Sequence, residues 1–341
     1  MSASSRVGRG FGSLCRRLAG IAAVCVTVGV AVVAASTPPA VALRLAVVGG
    51  SPSFTAVWLG ADSGIFEKYG VRVDLRTMNG SVALEALLAG DIEIAADGQT
   101  MVQADPTGAR LAFVGALQNE FAGFVVYARP QIRSFAELRG QSVAGTTPAA
   151  TATFAMRDAL RKAGLDPAAD VNWVYLGTPA SQLAALEQGL IAAAVLPWPY
   201  NFTADREGLR ALADLKAWHL PAAATTLAVR REWAAQNRSS LIAFLKGLIE
   251  ATAVAKSDRG AAEEAIAKHL KLSDRTVVRA SYARFADVWP NPPYITPAAV
   301  AEAIRDVPSP DAKRHAPVEF IDNSFLDEII KSGFAQPFIK K

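Results

Sequence analysis

The chain has 341 residues, enough for one large or two ordinary domains, and its 51% hydrophobic and 19% charged content marks a globular protein with a sizeable core. Its net charge of +4 is local: residues 1–42 carry Arg6, Arg9, Arg16 and Arg17 with no acidic residue, and 35 basic residues less those four leave 31 against 31 acidic ones. The remainder is neutral, so a nucleic-acid or anionic-membrane partner has no electrostatic support.

The first segment has the layout of a secretory leader. Its arginines precede an apolar run from Leu18 to Ala35, the helix-breaking Pro38-Pro39, and the small-x-small pattern Ala40-Val41-Ala42. Cleavage there leaves Leu43 as the mature N-terminus and a periplasmic protein. Retention as a membrane anchor is the alternative, because the run approaches bilayer-spanning length. Both cysteines, Cys15 and Cys25, lie in this segment. The rest of the chain therefore has no disulfide, zinc knuckle or thiol nucleophile.

From residue 43 onward, apolar strands alternate with helices. Leu43–Val48 reads as a buried strand ending in the turn Gly49–Ser53, and Phe54–Phe66 as a helix. Val71–Leu75 alternates as a strand. Asn79–Thr100 then forms a loop–helix–turn–strand–loop unit, with Leu84, Leu87 and Leu88 at helical spacing and Gly90 closing the helix. Asp91 and Glu93, two residues apart on an edge-like strand, are expected to face solvent. Leu111–Leu117 and Phe124–Ala128 read as further strands. Ser134 to Glu137 has capping-box spacing, and Gln141–Ala144 is a short strand. A helix follows, with Thr147 as its cap and Pro148 in its first position. Val171–Leu176 is a strand. The Asn79–Thr100 unit then returns over Gly177–Tyr200, where Leu183, Leu186, Gly189 and Ile191 match Leu84, Leu87, Gly90 and Ile92. One unit used twice implies two similar lobes. Leu209–Leu215 and Thr225–Arg230 are strand-like. Helices are expected over Leu241–Lys256, Ala261–His269, Asp274–Phe285, Pro297–Ile304 and Asn323–Ser332. The pattern predicts an α/β chain of two lobes, each a mostly parallel sheet flanked by helices. Residues 1–42 are the leader, 43–128 the first part of lobe 1, 129–222 lobe 2, and 223–341 the return to lobe 1 with C-terminal helices.

Five stretches occur in a telling order: GIFEKYGVRVD (Gly64–Asp74), ALLAGDIEIAA (Ala86–Ala96), SFAELRGQSVA (Ser134–Ala144), ALEQGLIAAAVLPWP (Ala185–Pro199) and FIDNSFLDEI (Phe320–Ile329). Together they resemble the nitrate/sulfonate/taurine family of ABC-transporter substrate-binding proteins, which includes binders of a thiamine pyrimidine precursor. The resemblance spans residues 43–341. It implies a two-lobed type II periplasmic binding fold, a small-molecule ligand in the cleft, and an inner-membrane ABC permease as partner.

Ligands of open α/β sheets bind beyond the carboxyl ends of the strands. That rule selects the loops bearing Ser51, Ser53, Phe54, Asn79, Ser81, Gly98, Gln99 and Gln118 in the first lobe. In the second it selects those bearing Thr146, Thr147, Thr151, Thr178 and Trp198. Their chemistry is hydroxyl, amide, backbone N–H and aromatic. The helix N-terminus after Thr147 favours an anionic group, and Trp198, held between two prolines, offers a wall for stacking. His219, His269 and His315 lie near no nucleophile elbow, and His269 and His315 are expected on solvated surface. No His/Asp/Glu cluster has metal spacing. The expectation is a monomeric binding protein for a small organic anion, with neither catalytic residues nor cofactor. An enzyme on the same fold and a ligand-sensing subunit are the alternatives.

Overall fold

The computed structural model describes residues 40–307 and 309–339. The expected leader lies outside the described residues as far as position 39, as do Cys15 and Cys25. Ten strands form two sheets. Strands β1 (Val41–Val48), β2 (Val71–Met78), β3 (Ile94–Asp97), β4 (Leu111–Glu120) and β10 (Pro221–Arg230) make the first, in the order β2-β1-β3-β10-β4. Strands β5 (Phe124–Ala128), β6 (Ser142–Gly145), β7 (Asn172–Tyr175), β8 (Ala193–Pro197) and β9 (Arg210–Asp214) make the second, in the order β7-β6-β8-β5-β9. In each sheet the fourth strand runs against the rest: β10 is antiparallel to β3 and β4, and β5 to β8 and β9.

Those reversed strands carry the chain between sheets. β4 leads through Phe121–Gly123 into β5, and β9 returns through residues 215–220 to β10. The crossings lie side by side, since Pro221 pairs with Glu120. Phe124–Ala128, expected with the first lobe, is thus a strand of the second sheet. Its apolar run looks the same in either place, and only its antiparallel partners decide which sheet it joins.

The repeated unit sits in equivalent places. β3 and β8 are each the middle strand, each preceded by a helix, Gly80–Ala89 and Pro179–Glu187. Gly90 and Gly189 both take positive φ, 87° and 73°, where a side chain would strain the turn. Leu87 and Leu186 are buried under their sheets, as are Ile92 and Ile191.

Alternation along the strands builds a core on both faces. In the first sheet Leu43, Leu45 and Val47 pack against the helices Thr55–Asp62, Arg238–Ser257 and Ser324–Lys331. Ala46, Ala95 and Ala228 face the helices Gly80–Ala89 and Pro297–Arg305. In the second sheet Val126, Val143 and Val195 pack on the helix Thr151–Lys162, while Tyr127, Ala144 and Ala194 pack on Pro179–Glu187. The five C-terminal helices lie within two residues of their expected bounds or closer, except that the first begins at Arg238. Among the described residues no helix is long and apolar enough to cross a membrane.

Four local expectations are corrected. The expected Phe54–Phe66 helix is a turn at Pro52–Phe54 and two helices, Thr55–Asp62 and Ile65–Lys68, separated where Gly64 takes φ 73°. Glu93 is buried rather than solvated, because it accepts from the Arg44 backbone N–H at 2.7 Å and from its guanidinium. His269 is only partly exposed: its ring stacks on Trp58 at 5.0 Å and meets Asp62 at 3.0 Å. Finally, the helix after β6 begins at Thr151 with Ala150 in the cap position, so Thr147 does not cap it. The Thr153 hydroxyl donates to the Thr147 carbonyl (2.7 Å) and accepts from the Thr146 N–H (3.1 Å). These bonds fold residues 146–150 over the first turn instead of into it.

Candidate functional site

The loops beyond the carboxyl ends of the strands are built on small polar side chains. After β1, the Ser51 hydroxyl accepts from the Ser53 N–H (3.2 Å) and the Ser53 hydroxyl (2.9 Å), and Ser53 lies 3.2 Å from the Thr225 hydroxyl of β10. Phe54 points the other way, buried 5.8 Å from the Trp58 ring. After β2, Asn79 occupies the cap position of the Gly80–Ala89 helix without a side-chain cap bond, and Ser81 is exposed. After β3, Gln99 is 1% exposed, yet neither its amide nitrogen nor its oxygen has a hydrogen-bond partner. Gln118 is buried and donates to the Glu120 carbonyl (2.6 Å).

In the second lobe, the Thr146 hydroxyl meets the buried Gln182 amide at 3.0 Å. Thr147 is exposed, and Thr151 opens the following helix. Thr178 caps the Pro179–Glu187 helix by accepting from the Ser181 N–H (3.1 Å). The lobes meet at Gly98 and Thr151: a Cβ on Gly98 would lie 2.3 Å from the Thr151 hydroxyl oxygen. The structure therefore brings the β3 loop of one lobe to the β6 loop of the other. Sequence reasoning missed Thr225 and Gln182, which lie inside a strand and a helix rather than in loops. Only knowledge of the strand pairing and of the helix's inward face would have found them.

Trp198 is 9% exposed and committed to the protein. Its indole N–H donates to Ser281 (2.6 Å), its ring meets Phe202 edge-on at 4.7 Å, and the Arg284 guanidinium lies over it at 5.1 Å. Ser281 and Arg284 belong to the helix Arg275–Phe285, so the indole ties β8 to the C-terminal helices. Trp198→Ala is expected to cost about 3–5 kcal/mol of stability. Ser281→Ala, which strands a buried N–H, is expected to cost about 1–3 kcal/mol. Thermal melts of the unliganded protein check this; a Trp198→Ala protein that melts like wild type would contradict it.

A second set of contacts joins the lobes. Asp158 and Arg161, on the Thr151–Lys162 helix, face Glu302, Arg305 and Asp306 at the end of the Pro297–Arg305 helix. Arg161 reaches Asp306 at 2.5 Å and Asp158 at 2.7 Å, and Arg305 bridges Asp158 and Glu302. The Asp158 and Asp306 side chains are only 6% and 4% exposed. A cavity of about 520 Å³ opens alongside, lined by Gln103, Pro148, Ala149, Arg157, Trp173 and Lys313 among others. It shares only Pro148 and Ala149 with the expected site loops, so it flanks the strand ends rather than occupying them.

Burial pushes the Asp158 carboxyl up to about 6, outweighing the two arginines that draw it down. Arg161 stays charged, held so by Asp306 and Asp158 against its own burial. A carboxyl whose pKa is raised on folding binds its proton more tightly in the fold. Its contribution is complete below the ordinary value of 3.8 and is lost as pH rises through about 6. Asp62, Glu93 and Asp214, whose carboxyls are held below their ordinary values by paired cations, act in the opposite sense. The difference between wild type and Asp158→Asn isolates the effect. Wild type should lose up to about 3 kcal/mol relative to the variant between pH 4 and pH 6–7, read from melts across that range. A difference that is flat or grows in favour of wild type would contradict the assignment.

Comparison with known proteins follows the same outline. Residues 36–271 match the family described as the NMT1-like family. No curated protein matches the chain by sequence. The periplasmic aliphatic sulphonate binding protein SsuA from Escherichia coli is 26% identical, with a TM-score of 0.66, over 83% of this chain and 99% of its own. The periplasmic nitrate-binding protein NrtA from Synechocystis PCC 6803 is 14% identical, with a TM-score of 0.62, over 86% and 89%. A cysteine-to-serine mutant of DszB, in complex with biphenyl-2-sulfinic acid, is 15% identical, with a TM-score of 0.62, over 85% and 99%. These likenesses establish a periplasmic-binding-protein fold.

Proposed function

The chain belongs to the NMT1-like family, and from that premise we propose that it is the periplasmic substrate-binding component of an ABC importer. It captures a small organic anion, a sulfonate or carboxylate with an aromatic or other organic body, between its lobes. It then delivers the anion unchanged to an inner-membrane permease. The protein acts as a monomer, and its leader is removed near Ala42. Strands β1–β4 and β10 with the C-terminal helices form one lobe, and β5–β9 the other.

The observation that carries this reading is Gln99. A buried amide with both ends unpaired is costly, and buried polar groups in native proteins nearly always find partners. Gln99 follows Gly98, where the lobes touch, so a ligand enclosed there would supply the missing bonds. Further support comes from the hydroxyls of Ser51, Ser53, Thr146, Thr151 and Thr225 and from the 12-residue helix that starts at Thr151, whose N-terminus favours an anion. Closure gives affinity because groups from both lobes surround the ligand only in that state.

The experiment is a thermal-shift screen over sulfonates, aromatic carboxylates and pyrimidines, followed by recovery of the bound compound. A ligand at 100 times its dissociation constant adds about 2.7 kcal/mol. The expected result is a shift with at least one organic anion, which is then recovered intact. Steady conversion of that compound would replace the binding protein with an enzyme. A shift with neutral pyrimidines alone would remove the anion. N-terminal sequencing of the exported protein should begin near Leu43; an intact Met1 in the membrane fraction would mean an anchor.

A further inference from the structure

The cavity of about 520 Å³ next to the inter-lobe ion pairs takes its walls from both lobes. The helix Thr151–Lys162 and the chain after it supply Arg157, Ala168 and Trp173, and the end of the helix Pro297–Arg305 and the turn beyond supply Asp306 and Lys313. Its volume falls in the range of small-molecule sites. The carboxylates at this wall are already occupied. Asp306 accepts twice from Arg161, at 2.5 Å and 3.2 Å, and Asp166 accepts from the Ala168 N–H at 2.8 Å. Behind them Asp158 and Glu302 are taken by Arg161 and Arg305. Two cations of the wall stand differently. Among the described residues neither Arg157 nor Lys313 forms an ion pair, unlike the neighbouring Arg161, Arg305 and Arg314. Arg157 is half-buried and fixed in place. Its guanidinium lies 5.5 Å from the centres of both the Phe154 and Trp173 rings, and one N–H donates to the Pro148 carbonyl at 3.2 Å.

A guanidinium has five N–H donors in a rigid fork, so a single carbonyl leaves most of Arg157 open to a ligand. Stacked on aromatic rings, it also loses little freedom when it binds an anion. Lys313 adds a point charge from the other lobe, and Pro148, Pro167, Ala168 and Val307 add apolar surface. We infer that this cavity is a second binding site, for a small organic anion of two or more negative charges held between Arg157 and Lys313. It is separate from the loops of Ser53, Gln99 and Thr225, which do not line it. A ligand that touches both lobes favours the state in which they are close. Resting on the binding reading above, an occupied cavity therefore raises affinity for the transported anion. By linkage, the transported anion raises affinity at the cavity by the same factor.

The test is calorimetric titration of the protein with citrate and with phenyl phosphate at constant ionic strength, with acetate as the singly charged control. Saturable binding of at least one of the two is expected, and none of acetate. Arg157→Gln should weaken it roughly 10- to 150-fold, the range of hydrogen bonds to a charged group. Lys313→Gln, at an exposed charge, should weaken it by up to roughly 5-fold. Ala168→Trp, at an exposed turn position, fills the cavity without changing a charge and should abolish binding. At saturation with the bound polyanion, the best compound of the screen should bind roughly 5- to 150-fold tighter, and Ala168→Trp should remove that gain. No saturable binding by wild type, or binding indifferent to both Arg157→Gln and Ala168→Trp, overturns the site. Competition between the polyanion and the screened compound overturns it as well, by placing both in one site. Binding that leaves affinity for the screened compound unchanged overturns the coupling alone. A screen that finds no ligand removes the binding reading and the coupling together, while the titrations still decide the site. The wild-type titrations need no variant, so a poorly folding one would not spare the proposal.

Discussion

Removal of the Arg161 side chain is expected to weaken ligand capture by roughly 5- to 150-fold, a coupling of about 1–3 kcal/mol. Arg161 spans the lobes, and its loss would leave Asp306 and Asp158 enclosed with one cation fewer. Breaking a buried charge pair costs about 3–5 kcal/mol. That figure is discounted because the Arg161 side chain is 34% exposed and partly screened. In an open arrangement the same carboxylates regain water, so the cost falls on closure rather than on each lobe. A double-mutant cycle separates the pair from its surroundings. Arg161→Ala and Asp306→Ala should each weaken calorimetric affinity for the best compound of the screen, and the double variant should be little worse than either. Additive losses, or unchanged affinity in both single variants, would show that these residues do not act on closure.

Gly98→Ala should be at least as damaging to binding. Its added methyl would sit 2.3 Å from the Thr151 oxygen and 3.1 Å and 3.3 Å from the Ala224 and Ala223 carbonyls. The Thr151 hydroxyl ends a side chain that can turn, but the carbonyls belong to β10, which is paired on both sides by β3 and β4 and cannot yield. Overpacking of this kind costs about 1–3 kcal/mol. The part that falls on Thr151 opposes closure, whereas the part that falls on β10 lowers the melting temperature of the free protein. Gly98→Ala with Thr151→Ala should bind more tightly than Gly98→Ala alone, though short of wild type because the Thr151 hydroxyl is lost, and leave the melting temperature low. Wild-type affinity in Gly98→Ala alone would mean that the lobes need not approach so closely around a ligand.

Much of this architecture was legible in the residues. The pairing of Leu84, Leu87, Gly90 and Ile92 with Leu183, Leu186, Gly189 and Ile191 recovers the duplicated unit, because a buried helix face and a left-handed turn leave a local signature. The C-terminal helices were legible for the same reason. Phe124–Ala128 was misplaced because its sheet depends on antiparallel partners distant in the chain, β8 and β9. Glu93 looked like a solvated charge because its partner, Arg44, lies on β1 and is 49 residues away.

The site was half legible. The strand-end rule selects loops bearing Ser53, Gly98, Gln99, Thr146 and Thr151 because loop composition is visible in the sequence, and of these the structure brings Gly98 and Thr151 together. Thr147 was given the cap because Thr-Pro is a common helix start, but Thr153 inside the helix takes over its backbone. The inter-lobe charges Asp158, Arg161, Arg305 and Asp306 lie on two helices far apart in sequence, and each looks like an ordinary solvated helix residue. Asp91 and Glu93 read alike as solvent-facing acids, and of the two only Asp91 is exposed.

The central claim is capture of an organic anion by approach of the lobes, and one distance tests it most directly. A protein produced from Leu43 onward has no thiol, because Cys15 and Cys25 are the chain's two cysteines, so cysteines introduced at Glu85 and Glu187 take spin labels without competition. Both positions are exposed, on the equivalent helices Gly80–Ala89 and Pro179–Glu187 of the two lobes. Pulsed electron-resonance distances should show a broad or longer population without ligand and a single shorter one at saturation with the bound anion. A distribution unchanged between the free protein and the saturated one, with binding verified on the same sample, would contradict capture by closure.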